Sequence, residues 1–314
     1  MLFPVSLLFR LLVALRRALY RIGVFHCEKL PAPVIVVGNI SVGGTGKTPL
    51  TLALVQQLTI RGRHPLIVSR GYGGAARKPQ QVDANADAHQ VGDEPLLMAR
   101  RKLCPVWIGK DRAAAALAAL QAHPECDVVL CDDGLQHYRL RRDVEIAVID
   151  GVRGFGNGLM LPAGPLREPV ARLASVTAVV VNGGATAANQ FAMRLTGEIF
   201  YNLSDPDKTA VAGHFKNLNC HAVAGIGHPQ RYFGYLQTLG IAFTPHAFPD
   251  HHPYAAADLA FVGCDAILLT EKDAVKCAAF ADTRYWVLRV DAQIDPALVD
   301  LILRKIKPDG RKTA

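Results

Sequence analysis

A glycine-rich turn between a strand-like run and a helix-like run most limits how this chain can fold. In VIVVGNISVGGTGKTPLTLALV, residues 34–55, Gly43, Gly44 and Gly46 follow a β-branched run and precede an apolar helical pattern. Glycines permit the tight path that points successive backbone N–H groups at a phosphate, and the N-terminus of the following helix adds positive potential. The sequence therefore predicts a phosphate-binding loop (P-loop) on an α/β sheet.

The same loop supplies side chains that suit ATP and Mg²⁺. Lys47 is placed to reach the β- and γ-phosphates, and Thr48 to bind Mg²⁺. The usual pattern, G-x-x-x-x-G-K-[ST], has glycine where this chain has Ser41. A glycine-rich connection without function is the alternative, but strand, loop, Lys-Thr pair and helix all occur in the required order. The predicted nucleotide-binding residues are Ser41, Val42, Gly43, Gly44, Thr45, Gly46, Lys47 and Thr48.

A P-loop predicts an acidic residue at the end of a neighbouring strand, and DVVLCDDGLQHYRL provides two candidates. Asp132 and Asp133 follow a short apolar run, the arrangement that holds Mg²⁺ or its water shell in P-loop enzymes. Adjacent aspartates at a strand end can instead cap a turn. Beside the P-loop, the metal-binding interpretation is favoured, without a choice between the two residues.

Strand-like and helix-like segments alternate after residue 30, which predicts a P-loop NTPase-type parallel sheet with helices on both faces. Ligands then gather at the carboxyl ends of the strands. Residues 75–92 are polar and predict a long loop or a small hairpin. We expect an N-terminal helix at 1–24, a P-loop domain at 25–170 and a smaller α/β domain at 171–314. The predicted strands are PVIVVGN, HPLIVSR, DVVLCDD, EIAVIDG, VTAVVVNGG, HAVAGIG, AILLTEKD and YWVLRVD.

The net charge of +8 is concentrated at the two ends of the chain. Residues 1–30 contain five Lys or Arg and one Glu, residues 304–314 contain five Lys or Arg and one Asp, and the remainder is neutral. A broad nucleic-acid surface is therefore not expected, whereas basic ends suit an anionic membrane.

Seven cysteines without a C-x-x-C pair predict reduced thiols.

The N-terminal segment MLFPVSLLFRLLVALRRALYRIG is amphipathic. At 100° per residue four of its leucines share one face, and three of its arginines lie opposite. The arginines interrupt any run long enough for a transmembrane span or a secretory signal, so the helix is expected to lie in the membrane interface. Packing of the leucine face on the protein's own core is the alternative. The residues concerned are Leu8, Leu12, Leu15 and Leu19, and Arg10, Arg17 and Arg21.

Other P-loop classes fit less well. GTPases need [NT]-K-x-D, and TEKD at 270–273 has the wrong order. Membrane-associated partitioning ATPases carry lysine directly before the two glycines, where this chain has Val42. Such an ATP-driven membrane switch remains the second candidate. A structural nucleotide-binding module is the third, and it leaves the polar residues at the strand ends unexplained.

Seven motifs, in order from about residue 35 to 276, resemble those of the tetraacyldisaccharide 4'-kinases, the lipid A kinases of Gram-negative bacteria. The resemblance implies transfer of the ATP γ-phosphate to the 4'-hydroxyl of a tetraacylated glucosamine disaccharide 1-phosphate at the cytosolic face of the inner membrane. It also accounts for Ser41, which the family shares. The motifs are GNISVGGTGKTP, SRGYGG, VGDEP, DDGLQHYRL, NGLMLPAGPLREP, FPDHHPY and LLTEKDAVK.

Phosphoryl transfer to a hydroxyl also requires a proton acceptor, and Asp93 in VGDEP is the candidate, as the resemblance also implies. The alternative is that Asp93 only caps a helix. His251 in FPDHHPY is expected to orient or tune Asp93, and neighbouring His252 is a rival. Lys47 completes the predicted catalytic set.

Ser69 and Arg70 end the predicted strand that follows the P-loop helix, so they are expected to face the same crevice as the P-loop, with Arg70 able to bind phosphate through two hydrogen bonds. We expect a monomer that binds the lipid A disaccharide precursor and no nucleic acid. Lesser candidates for the substrate 1-phosphate are Arg139, Arg141, Arg142 and Arg167.

Overall fold

The computed structural model describes residues 2–306. Within them lie two sheets whose central strands are parallel, and each sheet carries helices on both faces. The basic residues Lys307, Arg311 and Lys312 therefore lie outside the described residues. The α-helices are α1 Phe3–Arg21, α2 Lys47–Ile60, α3 Ala88–Val91, α4 Asp93–Arg100, α5 Arg112–Ala122, α6 Pro229–Thr238, α7 Glu271–Cys277 and α8 Pro296–Lys305. Short 3₁₀ helices span Val170–Ser175, Ala212–Phe215 and Ala256–Leu259.

The strands include every one of the eight predicted from the sequence, because continuous apolar β-branched runs suit a sheet covered on both faces. They are β1 Val34–Gly38, β2 Pro65–Ser69, β3 Gln80–Gln81, β4 Val106–Ile108, β5 Val128–Cys131, β6 Val144–Asp150, β7 Ala178–Asn182, β8 Phe191–Thr196, β9 Ile199–Asn202, β10 Thr209–Val211, β11 Cys220–Ala224, β12 Thr244–Ala247, β13 Ala266–Thr270, β14 Tyr285–Leu288 and β15 Asp291–Ile294.

The larger sheet has the order β15-β8-β7-β6-β1-β5-β2-β4-β3. The seven strands from β8 to β4 are parallel, and β15 and β3 add antiparallel edges. Its fully buried side chains form one cluster on each face, around Leu50 and Leu58 of α2 and around Ala115 and Ala119 of α5. Strand β3 and helix α3 occupy the polar segment 75–92, which the sequence predicted as a loop or hairpin.

The smaller sheet has the order β10-β9-β14-β13-β11-β12, and its strands all come from residues 199–288. The chain leaves the larger sheet after β8 and returns to it at β15. Helix α8 then packs on the core of the larger sheet through Leu298, Val299 and Ile302. The smaller unit is thus an insertion in the larger one.

The expected division at 170/171 does not coincide with the division between the sheets. It falls between β6 and β7, which pair in parallel through Ile146–Ala178 and four further residue pairs in the larger sheet. An apolar strand sequence shows that a strand is buried but not which sheet it joins, and this explains the difference.

Helix α1 presents most of its leucines to solvent. Leu8, Leu12 and Leu15 are 53–56% exposed, while the Ser6 hydroxyl is buried and donates to the carbonyl oxygen of Met160. Arg16 lies over the Tyr138 ring, with 5.5 Å from its Cζ to the centroid. These three leucines therefore do not pack on the core, whereas Leu19 is partly buried. No helix within residues 2–306 is both long and apolar enough to cross a bilayer.

Candidate active site

The P-loop follows β1, and its backbone is held by polar contacts. Gly46 has φ +95°, and a Cβ built there would lie 2.5 Å from Asn182 Nδ2, so only glycine fits. Asn182 Nδ2 donates to the carbonyl oxygen of Thr45 at 3.0 Å, and Asn39 Nδ2 donates to Thr45 Oγ1 at 3.2 Å. These bonds hold the loop in a fixed path at the start of α2, with Gly44 exposed.

The rest of the predicted loop is anchored from the opposite side. Ser41 is buried in a backbone bridge to Leu166 and does not adopt a positive φ, so its backbone does not require the glycine of the usual pattern. Val42 donates its N–H to Pro165, and its carbonyl oxygen accepts from the Arg153 guanidinium at 3.0 Å.

Strand β5 lies beside β1, so the two aspartates after it stand next to the P-loop. Lys47 Nζ is 3.7 Å from Asp133 Oδ1, and Arg167 Nη1 donates to both Asp133 carboxylate oxygens at 3.1 Å. Burial works to raise the pKa of Asp133, but Lys47 and Arg167 outweigh it and hold that pKa below its usual value. Asp133 also has a left-handed backbone, with φ +45°, which is uncommon outside glycine.

Asp132 is fully buried, and its pKa shifts in the opposite direction to that of Asp133. Its Oδ1 accepts from the Thr51 hydroxyl at 3.0 Å. Its buried Oδ2 has no hydrogen-bond partner within residues 2–306. Burial, with the charge of Glu94 as the next contribution, raises the pKa of Asp132 to about 7. An unpartnered carboxylate oxygen beside a P-loop fits a site that receives a cation.

The predicted acid and histidine are brought together from the two units. His251 Nδ1 lies 3.0 Å from Asp93 Oδ2. His252 instead approaches Asp258 at 3.3 Å. Asp93 is the first residue of α4, Gly92 occupies the N-cap position, and no side-chain capping bond forms there. The geometry thus offers Asp93 a histidine partner and gives no support to a capping role.

A cavity of about 950 Å³ connects these elements. The P-loop from Val42 to Thr48, with Asp133 and Arg167, forms one wall. His228, Asp250, His251 and Lys272 of the smaller unit form part of the other. Asp93 is 9% exposed and lies outside the described lining residues, while its partner His251 lies within them. The cavity is therefore open to a ligand that contacts both units.

Some predicted substrate-binding residues lie elsewhere. Ser69 is buried, Arg70 is exposed, and neither belongs to the described lining of the cavity. Arg142 donates to the carbonyl oxygens of Leu135 and Leu140, which is a structural role. The structure pairs Arg139 with Asp111 at 3.0 Å and leaves Arg141 exposed. Arg167 alone of the four lesser arginine candidates lines the cavity.

Sequence reasoning missed several cavity residues. Glu94 and Lys272 approach each other at 3.6 Å, and Arg231 binds Asp150 at 3.3 Å. Glu94 stands directly after Asp93 in VGDEP, and Lys272 belongs to TEKD, so the motifs contained the signal. Across residues 2–306, no group of three or more His, Cys, Asp or Glu side chains is arranged to hold a metal ion. A cation here would need oxygens from a bound phosphate, as Mg²⁺ commonly does.

Comparisons with known proteins agree on one family. A family model described as "LpxK: Tetraacyldisaccharide-1-P 4'-kinase" matches residues 1–307. The tetraacyldisaccharide 4'-kinase of Methylobacillus flagellatus is 50% identical over 303 residues, covering 96% of this chain and 90% of the relative. That of Alkalilimnicola ehrlichii is 52% identical over 295 residues, covering 94% and 88%. A crystal structure described as the "apo" form of LpxK from Aquifex aeolicus in complex with ATP has a TM-score of 0.81 and 29% identity, covering 98% of each chain.

Proposed function

This chain belongs to the tetraacyldisaccharide-1-P 4'-kinase family, and on that premise we propose which of its residues carry the reaction. The protein is a lipid A 4'-kinase: it transfers the γ-phosphate of ATP to the 4'-hydroxyl of a tetraacylated disaccharide 1-phosphate. The observation that supports the residue assignments is the cavity in which the P-loop of one unit faces His251 of the other.

The P-loop holds the ATP phosphates in this proposal. Backbone N–H groups from Gly43 to Thr48 surround the β-phosphate, and Lys47 leaves Asp133 to contact the β- and γ-phosphates. The phosphates then replace Asp133 as the negative partner of Lys47, which is 3.7 Å from that carboxylate. Arg167 stays on Asp133 and adds positive charge beside the transferring group.

Thr48, Asp132 and Asp133 would hold Mg²⁺ together with the phosphates. When bound, Mg²⁺ would supply neutralisation of the charge that develops on the transferring phosphate. The unpartnered Oδ2 of Asp132 supports this assignment.

Asp93 is the proton acceptor in the proposed mechanism. The 4'-oxygen attacks the γ-phosphorus, its proton passes to the Asp93 carboxylate, and the bond from the γ-phosphorus to the bridging oxygen breaks to release ADP. The transition state is loose, so deprotonation is late and a carboxylate is a sufficient base. His251 holds Asp93 in place by the 3.0 Å contact. Because the two come from different units, the site is complete only when the units are together.

Helix α1 would bring the enzyme to its lipid. We propose that the exposed leucine face lies in the cytosolic leaflet of the inner membrane of a Gram-negative cell, with exposed Arg10 and Arg21 near anionic headgroups. An acceptor with acyl chains stays in the bilayer, so the enzyme must act at that surface as a peripheral protein. In this proposal the enzyme acts as a monomer.

The test is a transfer assay in which purified protein is supplied with Mg²⁺ and with ATP labelled at the γ-phosphate. With the tetraacyl disaccharide 1-phosphate present, label is expected on the 4'-position of the lipid, and ATP turnover is expected to depend on the lipid. ATP hydrolysis that is equal without lipid, with no labelled lipid, would favour a membrane-associated ATPase switch instead.

A further inference from the structure

The ammonium group of Lys272 is one of the points at which charged groups of both units meet. Its Nζ lies 2.9 Å from Asp250 Oδ1 and 3.3 Å from His251 Nε2 in the smaller unit. It also lies 3.6 Å from Glu94 Oε1 at the start of α4 in the larger unit. The side chain is 16% exposed and lines the cavity.

These contacts decide which nitrogen of His251 carries the proton. A lysine ammonium has three N–H donors and no acceptor, so Lys272 can only donate to Nε2. Nε2 must then be the unprotonated nitrogen of the imidazole. With Nε2 as an acceptor, the proton of a neutral His251 belongs on Nδ1, which faces Asp93 Oδ2 at 3.0 Å and is placed to donate to it.

We propose that Lys272 is a positioning residue that fixes His251 as the Nδ1-protonated tautomer and so holds Asp93 as an ionised hydrogen-bond acceptor. This inference rests on the proposed function, in which Asp93 receives the proton of the acceptor hydroxyl. Without Lys272 the imidazole is free to place its proton on Nε2, and two acceptors, Nδ1 and Oδ2, would then face each other. Asp93 would lose its orientation toward the substrate.

The charges around the pair are consistent with this role. Burial works to lower the pKa of Lys272, but Glu94, Asp250 and Asp93 together raise that pKa above its usual value, so the donor stays charged. Lys276, one turn further along α7, lies 3.9 Å from Asp93 Oδ2. His251 Nδ1 and Lys276 thus both approach Oδ2, and Oδ1 is the oxygen that we assign to the substrate proton.

The backbone at His251 adds an independent observation. His251 has φ +62°, a left-handed conformation that non-glycine residues rarely adopt. Such strain persists where surrounding contacts determine it. The ring of Tyr72 lies 5.4 Å away between centroids, so the imidazole is held by Asp93, Lys272 and an aromatic neighbour.

The first measurement is the ¹⁵N NMR spectrum of the full chain labelled at histidine, with His251→Gln used to assign the His251 signals. In the wild-type protein, Nδ1 is expected to show the shift of a protonated ring nitrogen, and Nε2 that of an unprotonated one. In Lys272→Met the Nε2-protonated tautomer is expected to appear. Lys272→Arg keeps a charged donor and is expected to preserve the wild-type signals. Protonated Nε2 in neutral wild-type His251, or an unchanged spectrum in Lys272→Met, would overturn the proposal.

The second measurement separates positioning from phosphate binding. Lys272→Met is expected to lower kcat about tenfold or more while KM for ATP changes less than about twofold. Lys208→Met, which removes a lysine that lies over Trp286 in the smaller unit, is the matched control and should leave kcat unchanged. A loss confined to KM for ATP would show that Lys272 binds nucleotide, and that would contradict the proposal. If Lys272→Met does not fold, the wild-type and Lys272→Arg spectra still decide the tautomer.

The spectra also keep this inference distinct from the proposed function, because they require no turnover. Full activity in Asp93→Asn would refute the proposed base while leaving the tautomer assignment intact. If wild-type His251 shows the Nε2-protonated tautomer while Asp93→Asn is inactive, the role of Lys272 is refuted and the proposed base is not.

Discussion

His251 Nδ1 lies 3.0 Å from Asp93 Oδ2, although the two residues are 158 positions apart in the chain. Asp93 begins α4 in the larger unit, and His251 follows β12 in the smaller unit. The contact therefore depends on the insertion of the smaller sheet between β8 and β15 and on how the two units pack. The contact between this carboxylate and this imidazole forms only when the two units are packed together, so it indicates whether the site is assembled.

Removal of the P-loop side chains should abolish transfer without unfolding the protein. Lys47→Ala is expected to lower kcat roughly 100-fold or more, because it removes a cation from the transferring phosphate. Thr48→Ala should act similarly and raise the Mg²⁺ concentration needed for activity. Lys78→Ala, at an exposed lysine, is the control. Near-normal turnover of Lys47→Ala at saturating ATP would refute the P-loop assignment.

The leucine face of α1 should govern membrane binding. Replacing Leu8, Leu12 and Leu15 with serine is expected to weaken binding to anionic vesicles about tenfold or more, since each leucine contributes apolar area to the interface. KM for lipid should rise more than KM for ATP. Val262→Ser, at a side chain 96% exposed on the smaller unit, is the control. A large loss of thermal stability in the triple variant would mean that these leucines pack on the protein instead.

The contact between the units should also be visible in stability. Arg101, at the end of α4, is 7% exposed and reaches Glu271 and Asp291 at 2.7 Å each. Arg101→Met leaves buried Glu271 without its cation, so the free energy of unfolding should fall by about 3–5 kcal/mol. Arg61→Met, which breaks an exposed pair with Asp300, should cost about 1 kcal/mol or less. If denaturant titrations give equal losses for Arg101→Met and Arg61→Met, the buried pair of Arg101 with Glu271 does not stabilise the contact between the units.

His137 should contribute a pH dependence to stability. Burial, reinforced by Arg112, lowers the pKa of His137 from 6.5 to about 4. Between pH 4 and 6.5 the unfolded chain therefore binds more protons at His137 than the folded chain does. As the pH falls through this range, the free energy of unfolding decreases. His137→Gln should show a shallower decline in the free energy of unfolding over that window. Identical slopes for the two proteins would exclude His137 as the cause.

The sequence determined the local features of the fold far better than their long-range arrangement. The P-loop, the apolar strands and Asp132–Asp133 were predictable, because strand, turn and helix patterns are read from contiguous residues. The return of the chain to β15, and the place of β7 in the larger sheet, depend on pairing between distant residues. No local pattern encodes such pairing, so the expected boundary at 170/171 divides the larger sheet.

The same distinction applies to the site. Asp93 and His251 were named from motifs and expected to pair, but their 3.0 Å contact, and the pairing of His252 with Asp258 instead, required the packing of two units. Arg70 was expected in the crevice because it stands at the end of the predicted strand HPLIVSR, yet it is exposed and lies outside the described lining of the cavity. Lys272 was missed because a lysine on a short helix is ordinarily solvated, and only the surrounding carboxylates give it significance.

A double-mutant cycle on Asp93 and His251 tests most directly whether the two units form one catalytic site. We expect Asp93→Asn to lower kcat for transfer to lipid by about 10²–10⁴. His251→Asn should cause a smaller loss, and both should leave ATP affinity nearly unchanged. The double variant should fall barely below Asp93→Asn, because residues that act as a unit are not additive. His252→Asn, at the histidine paired with Asp258, should retain activity. Fully additive losses, or an active Asp93→Asn, would contradict the account.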